Sequence, residues 1–110
     1  MPRRPVDDAA ISERLAGLDR LLEHRVRLGA CALLARNDRL SFSRLKELLG
    51  ETDGSLGANL RRLEEAGYVT LRKSFRERRP VTWYRLSGRG RERLDRHLSS
   101  LAAMIETLEE

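Results

Sequence analysis

The sequence predicts an α+β fold that is mainly helical. Most of the chain carries apolar residues at helical spacing, the pattern changes to an extended one after residue 67, and positive charge is concentrated in one block. With 110 residues, of which 40% are hydrophobic, the chain can bury one core, and we expect a single domain. It contains no apolar run of the roughly 20 residues that cross a bilayer, and its start lacks the apolar stretch of a secretion signal. We therefore expect a cytoplasmic protein without a membrane partner.

The first part of the chain is predicted to contain an arm and two helices. Residues 1–8 include two prolines and mixed charges, which predicts a disordered arm ahead of a domain at 9–110. Apolar residues spaced by four, three and four predict an amphipathic helix over 9–23. That stripe consists of Ile11, Leu15, Leu18 and Leu22. A second, more apolar helix is expected over 25–36.

Two short helices are predicted between residues 43 and 67. Ser43 is a good N-cap for the first, and Gly50 suits its C-terminal cap. Thr52 is predicted to cap the second helix, and Gly67 to close it in a left-handed conformation. The two helices would then meet across a turn of three residues.

Extended segments follow the two helices. Residues 68–71 and 81–86 are rich in strand-forming side chains, and they flank a polar, arginine-rich connection. Together they predict a hairpin over 68–86, with which the short segment 40–42 can pair. A pair of helices across a short turn, followed by a basic hairpin, describes a winged helix-turn-helix.

The positive charge of the chain is concentrated in this hairpin. Residues 68–85 hold six basic residues and one acid, a net of +5, which equals the formal net charge of the whole chain. An excess spread evenly would indicate only solubility, whereas a concentrated one indicates a polyanionic partner.

The last helix, predicted over 88–108, carries a seam of apolar residues at a mean spacing of 3.5. Its members are Leu94, Leu98, Leu101, Ile105 and Leu108. The only other stripe of this kind is that of 9–23, so we expect the two helices to pack together. Packing between two subunits would give a two-fold homodimer, and packing within one chain would give a monomer. The homodimer is the preferred prediction.

Longer sequence phrases indicate a family. The phrases LSFSRLKELLG (40–50), TDGSLGANLRRLEEAGYV (52–69) and KSFRERRPVTWYRLSGRG (73–90) resemble the small winged-helix transcriptional regulators of bacteria and archaea, relatives of the MarR and ArsR groups. The resemblance covers roughly residues 18–101. It implies a homodimer that regulates promoters, as a repressor in our preferred reading, through paired half-sites of double-stranded DNA. The chain departs from the family pattern at Gly57 and Ala58, where small polar residues are usual.

The helix over 52–66 is the predicted recognition helix. Its inward leucines leave one outward face for base edges and phosphates, formed by Thr52, Ser55, Ala58, Asn59 and Arg62. Asn pairs with adenine and Arg with guanine, and the methyl group of Ala58 can meet thymine. The alternative is an ordinary solvated helix face.

The hairpin tip is the predicted wing, with arginine forks suited to phosphates and narrow minor grooves. Its DNA-binding residues are Arg72, Lys73, Arg76, Arg78 and Arg79. Further phosphate contacts are expected from Ser43, Arg44 and Arg61. Trp83 and Tyr84 alternate on the second strand, and we expect Trp83 to face the core.

The remaining reactive residues suggest no chemistry. Cys31 lies among apolar residues and is predicted to be a buried small hydrophobe, with a redox sensor as the alternative. His24 and His97 lack metal-ligand spacing and are expected at surface or interface positions. We predict no catalytic residue, no metal, no cofactor and no enzyme activity. A small-molecule effector is a further hypothesis, and the rival functions are a protein-interaction module and an RNA-binding winged helix.

Overall fold

A computed structural model describes residues 5–109 of the chain. Within these residues, five α-helices and three strands follow one another, with a single 3₁₀ turn at Arg20–Glu23 between the first two helices. The elements are α1 (Pro5–Ala16), α2 (Arg25–Arg36), β1 (Leu40–Ser41), α3 (Phe42–Leu49), α4 (Asp53–Glu65), β2 (Val69–Arg76), β3 (Arg79–Leu86) and α5 (Gly88–Glu109). The predicted mainly helical α+β fold is confirmed.

Local capping explains where α3 and α4 begin and end. Thr52 caps α4, since its hydroxyl oxygen accepts a hydrogen bond from the backbone N–H of Ser55 at 3.1 Å. Gly50 and Gly67 close α3 and α4 with φ angles of 63° and 79°. The N-cap of α3 is Ser41, not Ser43 as predicted. The extended backbone of β1 runs directly into α3 and places Ser41 at the cap position.

The first predicted helix is wrong in its extent. Residues 5–8, assigned to a disordered arm, belong to α1, while residues 1–4 lie outside the described residues. The helix ends at Ala16 instead of residue 23. Asp19 then starts the 3₁₀ turn by accepting a hydrogen bond from the backbone N–H of Leu21 at 2.9 Å. This break turns Leu22 away from the line of α1 and into the core, where it is fully buried.

The three strands form an antiparallel sheet in the order β1-β3-β2. Leu40 pairs with Tyr84, and the long hairpin runs from the pair Val69 and Leu86 to the pair Arg76 and Arg79. One face of the sheet covers the helices, and we call the opposite face the outer face. Its members alternate along the strands: Thr70, Arg72, Ser74, Arg76, Arg79, Val81, Trp83 and Arg85.

The core lies between the helices and the inner face of the sheet. It is formed by buried residues of α2, α3, α4, α5 and the hairpin, with leucines predominating. Gly90 allows α5 to lie directly against the start of β2. A Cβ atom at this position would be 2.1 Å from the carbonyl oxygen of Tyr68, so a larger residue would push the two elements apart.

Among residues 5–109, none of the helices combines the length and the apolar character that spanning a bilayer requires.

Candidate nucleic-acid interface

The helix-turn-helix joins α3 and α4 through a short polar turn. Lys46 of α3 and Asp53 at the start of α4 form an ion pair at 2.9 Å across this turn. Leu56, Leu60 and Leu63 are buried beneath α4. Their helical spacing leaves one exposed stripe on α4, and that stripe can approach a nucleic-acid groove.

The exposed stripe of α4 differs from the prediction by the loss of Asn59 and the addition of Arg61. Thr52, Ala58, Arg61 and Arg62 are exposed, and Ser55 is half-buried. These residues present hydroxyl groups near the start of the helix, a methyl group in its middle and two guanidinium groups towards its end. This set can contact both bases and phosphates.

Asn59 was predicted to lie on that outward face, and this placement is wrong. The side chain is only 9% exposed. Its Oδ1 accepts a hydrogen bond from a guanidinium N–H of Arg27 at 2.8 Å, and its Nδ2 donates to the carbonyl oxygen of Ser55 at 2.9 Å. Arg27 also donates to the carbonyl oxygen of Leu21 at 2.6 Å. Asn59 therefore ties α4 to α2 and has its polar atoms engaged within the fold.

Two of the three predicted phosphate contacts lie at the start of α3. Ser43 is exposed, and Arg44 is exposed and forms an ion pair with Glu47 at 2.9 Å, one helical turn along. An exposed pair of this kind is worth about 1 kcal/mol or less, so it leaves Arg44 able to exchange Glu47 for a phosphate. The third, Arg61, lies on the stripe of α4 described above.

The hairpin forms the second half of the candidate interface. The five predicted wing residues, Arg72, Lys73, Arg76, Arg78 and Arg79, are all exposed. The tip is a two-residue turn in which Glu77 and Arg78 have φ angles of 52° and 68°. Positive φ at both turn positions matches the twist of a hairpin but disfavours residues other than Gly, Asn and Asp. The tip therefore holds two charged side chains at some conformational cost.

Sequence reasoning missed Phe75, a large apolar side chain that is 78% exposed in the wing. It pairs across the hairpin with Pro80, next to the turn. The strand alternation places it on the same face as Leu71, but beyond the edge of the core. Alternation alone therefore predicts burial, and the available signal for its exposure was its position beside the hairpin turn.

Trp83 and Tyr84 lie on the opposite faces from those predicted. Tyr84 is buried in the core, whereas Trp83 is half-buried on the outer face. The indole Nε1 donates to Ser74 Oγ at 3.1 Å, and the Arg39 guanidinium lies 3.9 Å from the indole centroid. The register sets the assignment, because Tyr84 pairs with both Leu40 and Leu71 at the covered side of the sheet. No sequence signal marks Arg39 as the partner of Trp83.

Comparison with known sequences agrees with the helix-turn-helix and hairpin described above. The sequence pattern of a winged helix DNA-binding domain family matches residues 26–105. The chain belongs to this family. An uncharacterized protein of Methanocaldococcus jannaschii is 32% identical over 84 residues, which are 76% of this chain and 91% of that protein.

Solved structures extend the likeness to transcriptional regulators. A transcriptional regulator homologue from Pyrococcus horikoshii is 31% identical, with a TM-score of 0.81 over 93% of this chain and 99% of that one. A MarR-family regulator from Silicibacter pomeroyi, 22% identical, shares the fold with a TM-score of 0.59 over 94% of this chain and 66% of its own. The predicted winged-helix regulator family is thereby confirmed, and the likeness to the MarR-family protein is one of fold. The winged helix family is one of DNA-binding regulators, normally without enzyme activity.

In this winged helix domain, the helices predicted to dimerise pack together within one chain. α1 lies along α5. Of the nine residues predicted for the seam, Leu22 and Leu94 are buried in the core, so their assignment to a subunit interface is wrong. Ile11, Leu18 and Leu101 are half-buried. The four that remain exposed by 44% to 57% are Leu15, Leu98, Ile105 and Leu108.

In the winged helix domain, the cysteine is packed in the core and the two histidines form hydrogen bonds with the backbone. Cys31 is fully buried, and its burial, aided by the charge of Asp19, raises the pKa of the thiol to about 12. His24 caps α2 through Nδ1, which accepts a hydrogen bond from the N–H of Val26 at 3.2 Å. His97 is buried rather than at the surface, with Nδ1 accepting from the backbone N–H of Asp19 at 2.9 Å. Among residues 5–109, no group of three or more His, Cys, Asp or Glu is placed to hold a metal ion.

Proposed function

We propose that this winged helix protein is a homodimeric transcriptional repressor that binds a pseudo-palindromic site in double-stranded DNA. The observation that carries the proposal is the pairing of an exposed stripe on α4 with a neighbouring hairpin that holds the whole net charge of the chain. A helix of this kind enters the major groove of DNA, and the charged hairpin contacts the flanking backbone and minor groove.

Base reading is assigned to α4. Arg62 and Arg61 supply forks that fit guanine or phosphate, and Ala58 supplies a methyl-sized contact for thymine. Thr52 and Ser55 lie at the start of the helix, where hydroxyl and backbone N–H groups favour phosphate oxygens. Asn59 is excluded from this set because its amide is engaged with Arg27 and Ser55.

Affinity is assigned mainly to the wing. Its exposed basic residues supply charge without a fixed pattern of acceptors, so they suit phosphates and the minor groove rather than base edges. Binding through them releases counterions, and a steep decrease of affinity with salt is therefore expected. Arg44 at the start of α3 adds a phosphate contact on the other side of α4.

Dimerisation is assigned to the arm formed by α1 and α5. The protein measures 64 × 25 × 21 Å over its described residues, and four exposed leucine and isoleucine side chains lie on this arm. An apolar stripe left over after α1 has packed on α5 is best covered by the same stripe of a second copy. Two recognition helices about 34 Å apart would then match half-sites separated by one turn of DNA.

Repression follows if the bound dimer occludes RNA polymerase at a promoter. An effector site is placed at the junction of the arm and the core, where a cavity of about 210 Å³ is lined in part by Leu18, Asp19, Arg93, Arg96 and His97. Arginine in its wall favours a small anionic molecule. A ligand there would change the angle between the arm and the DNA-binding core, and with it the spacing of the two recognition helices.

The deciding experiment is selection of bound duplexes from a random double-stranded library at about 150 mM salt, which suppresses non-specific contacts. An enriched inverted repeat with half-sites one turn apart is the expected result. Arg62→Ala should change the enriched sequence, whereas Arg20→Ala, at an exposed arginine outside both α4 and the wing, should not. Binding without enrichment would contradict the proposal and favour a protein-interaction module.

The RNA alternative is tested by competition. Structured and single-stranded RNA are added to the protein bound to the selected duplex, at matched nucleotide concentration. Displacement by RNA at lower concentration than by unlabelled duplex would replace double-stranded DNA with RNA as the ligand.

A further inference from the structure

The outer face of the sheet carries a cluster of arginines around the single tryptophan. Arg72 lies directly across from Trp83 in the strand register, and Arg85 lies two residues further along β3 on the same face. Cross-strand neighbours of this kind have Cβ atoms about 5 Å apart. Arg39, from the segment before β1, adds a third guanidinium, 3.9 Å from the indole centroid.

The cluster surrounds a shaped hollow. A volume of about 260 Å³ is lined by Arg39, Arg72, Arg85, Trp83 and Thr70, together with Leu71. Two contacts hold the Trp83 ring in place. Its Nε1 donates to Ser74 Oγ, and the guanidinium group of Arg39 stacks on its face. One wall of the hollow is therefore the fixed indole ring, and the guanidinium-bearing side chains of three arginines form its charged lining.

Electrostatic compensation within the hollow is weak. Arg85 forms an ion pair with Asp38 at 3.4 Å, in which both side chains are more than half exposed. An exposed pair at this distance neutralises little of the local charge. Like charges this close repel one another, so an anion placed among them would be favourable for binding and for the stability of the sheet.

This hollow is separate from the interface on α4. The inner face of the sheet, through Val69 and Tyr84, belongs to the core that α4 covers. Residues of the outer face point away from that core, because successive side chains alternate between faces. Arg72, assigned to the wing by sequence, therefore points to a different surface from the stripe of Ala58 and Arg62.

We propose that the outer-face hollow is a second anion site, which binds a phosphate group through Arg39, Arg72 and Arg85. The guanidinium group of arginine donates paired hydrogen bonds to phosphate oxygens, and three arginines that line one hollow favour phosphate over singly charged anions. The phosphate comes either from the DNA backbone beyond the half-site or from a free phosphorylated molecule. The proposal stands without the assignment of base reading to α4.

Trp83 provides the readout, because it is the only tryptophan and it lies in the wall of the hollow. Its emission is followed while inorganic pyrophosphate is added to the full-length protein at constant ionic strength, with sodium chloride as the reference titration. A saturable change with pyrophosphate alone is expected. Arg72→Ala should weaken it at least about tenfold, as expected for loss of one charged fork. Arg72→Lys should give an intermediate loss.

The matched control is Arg25→Ala, which removes an exposed arginine at the start of α2, outside the hollow and the effector cavity, and should leave the titration unchanged. Circular dichroism of each variant checks that the fold is retained. A titration without saturation, or one that is equal in wild type and Arg72→Ala, would overturn the proposal.

Duplex length then distinguishes the two sources of phosphate. The selected site is tested as a duplex that ends at its half-sites and as one extended by about ten base pairs, one turn, on each side. Tighter binding of the longer duplex by wild type, but not by Arg39→Ala, assigns the hollow to the DNA backbone, because Arg39 lines the hollow and is not a wing residue. Equal binding of both duplexes, with saturable pyrophosphate binding, assigns it to a free phosphorylated molecule. Because the fluorescence titration contains no DNA, its result is independent of whether the proposed operator exists.

Discussion

α4 and the hairpin of β2 and β3 are adjacent in the sequence and opposite in character. α4 carries two arginines and three acids, a net of −1, and it is fixed in place by buried leucines and by Asn59. The hairpin carries +5, is exposed along most of its length, and ends in a turn with two unfavourable backbone conformations. The rigid, weakly charged element suits discrimination between bases, and the charged, exposed element suits affinity for any duplex.

The junction of these two regions gives the largest expected effect on stability. The hydroxyl of Tyr68, between α4 and β2, donates a hydrogen bond to a carboxylate oxygen of Asp19. Tyr68→Phe removes a hydrogen bond to a charged group, for which a loss of about 1.5–3 kcal/mol is expected. Urea unfolding at pH 7 measures it. Tyr84→Phe is the control, because Tyr84 is also buried and its pKa is raised mainly by burial rather than by a hydrogen bond to an acceptor.

The pH dependence of the stability difference between wild type and Tyr68→Phe tests whether the hydrogen bond from Tyr68 to Asp19 causes it. Burial, followed by the hydrogen bond and charge of Asp19, raises the pKa of Tyr68 to about 12 from the ordinary value of 10. The folded state thus holds the phenol proton more tightly than the unfolded chain, so this contribution is complete below pH 10 and is lost as the pH rises through 12. The gap between wild type and Tyr68→Phe should shrink over that window. A constant gap would show that Tyr68 acts through packing alone.

Asn59→Ala tests whether α4 is held by its polar contact with α2. The variant leaves the half-buried guanidinium of Arg27 without its amide partner, and a loss of about 1–3 kcal/mol in the free energy of unfolding is expected. The preferred DNA sequence should stay the same, because the Asn59 amide is buried and bonded to Arg27 and Ser55. A relaxed preference at one base pair, without loss of stability, would restore Asn59 to base reading.

Paired arginine variants separate discrimination from affinity. Arg62→Ala should reduce discrimination at one base position by about 1–3 kcal/mol. The double variant Arg78→Ala/Arg79→Ala should instead weaken binding to specific and random DNA alike, and lower the slope of log affinity against log salt by about one for each phosphate that the wing no longer neutralises. Both are measured by fluorescence anisotropy over a salt series. The same salt slope in the double variant as in wild type would remove the wing from the interface.

The turn at the tip gives the smallest effect and the most selective one. Glycine relieves the cost of positive φ, so Glu77→Gly and Arg78→Gly should each stabilise the protein by about 1 kcal/mol. Their effects on DNA should differ, because only Arg78→Gly removes a cation. Thermal unfolding and DNA titration of the two variants therefore form a matched pair. Equal DNA affinities would show that charge at position 78 is not used.

Short-range features of the structure could be predicted from the sequence. Helical spacing located α2, α3, α4 and α5 to within a few residues, and Thr52, Gly50 and Gly67 mark helix ends through contacts or φ angles that each residue type favours locally. The extended pattern and the positive charge of the hairpin could also be recognised in the sequence. Such signals depend on neighbours a few residues away, which the sequence displays directly.

The tertiary structure decided which side chains are free to act. Arg27 and Asn59 are 32 residues apart, and Asp19 and His97 are 78 apart, so no local pattern shows that each pair shares a hydrogen bond. The same holds for Trp83 and Tyr84, whose faces follow from strand register. Composition and periodicity by themselves determined the fold class and the charged hairpin. The availability of each residue for a ligand depended on partners brought together only when the chain folds, because burial and hydrogen bonding are properties of contacts between distant segments.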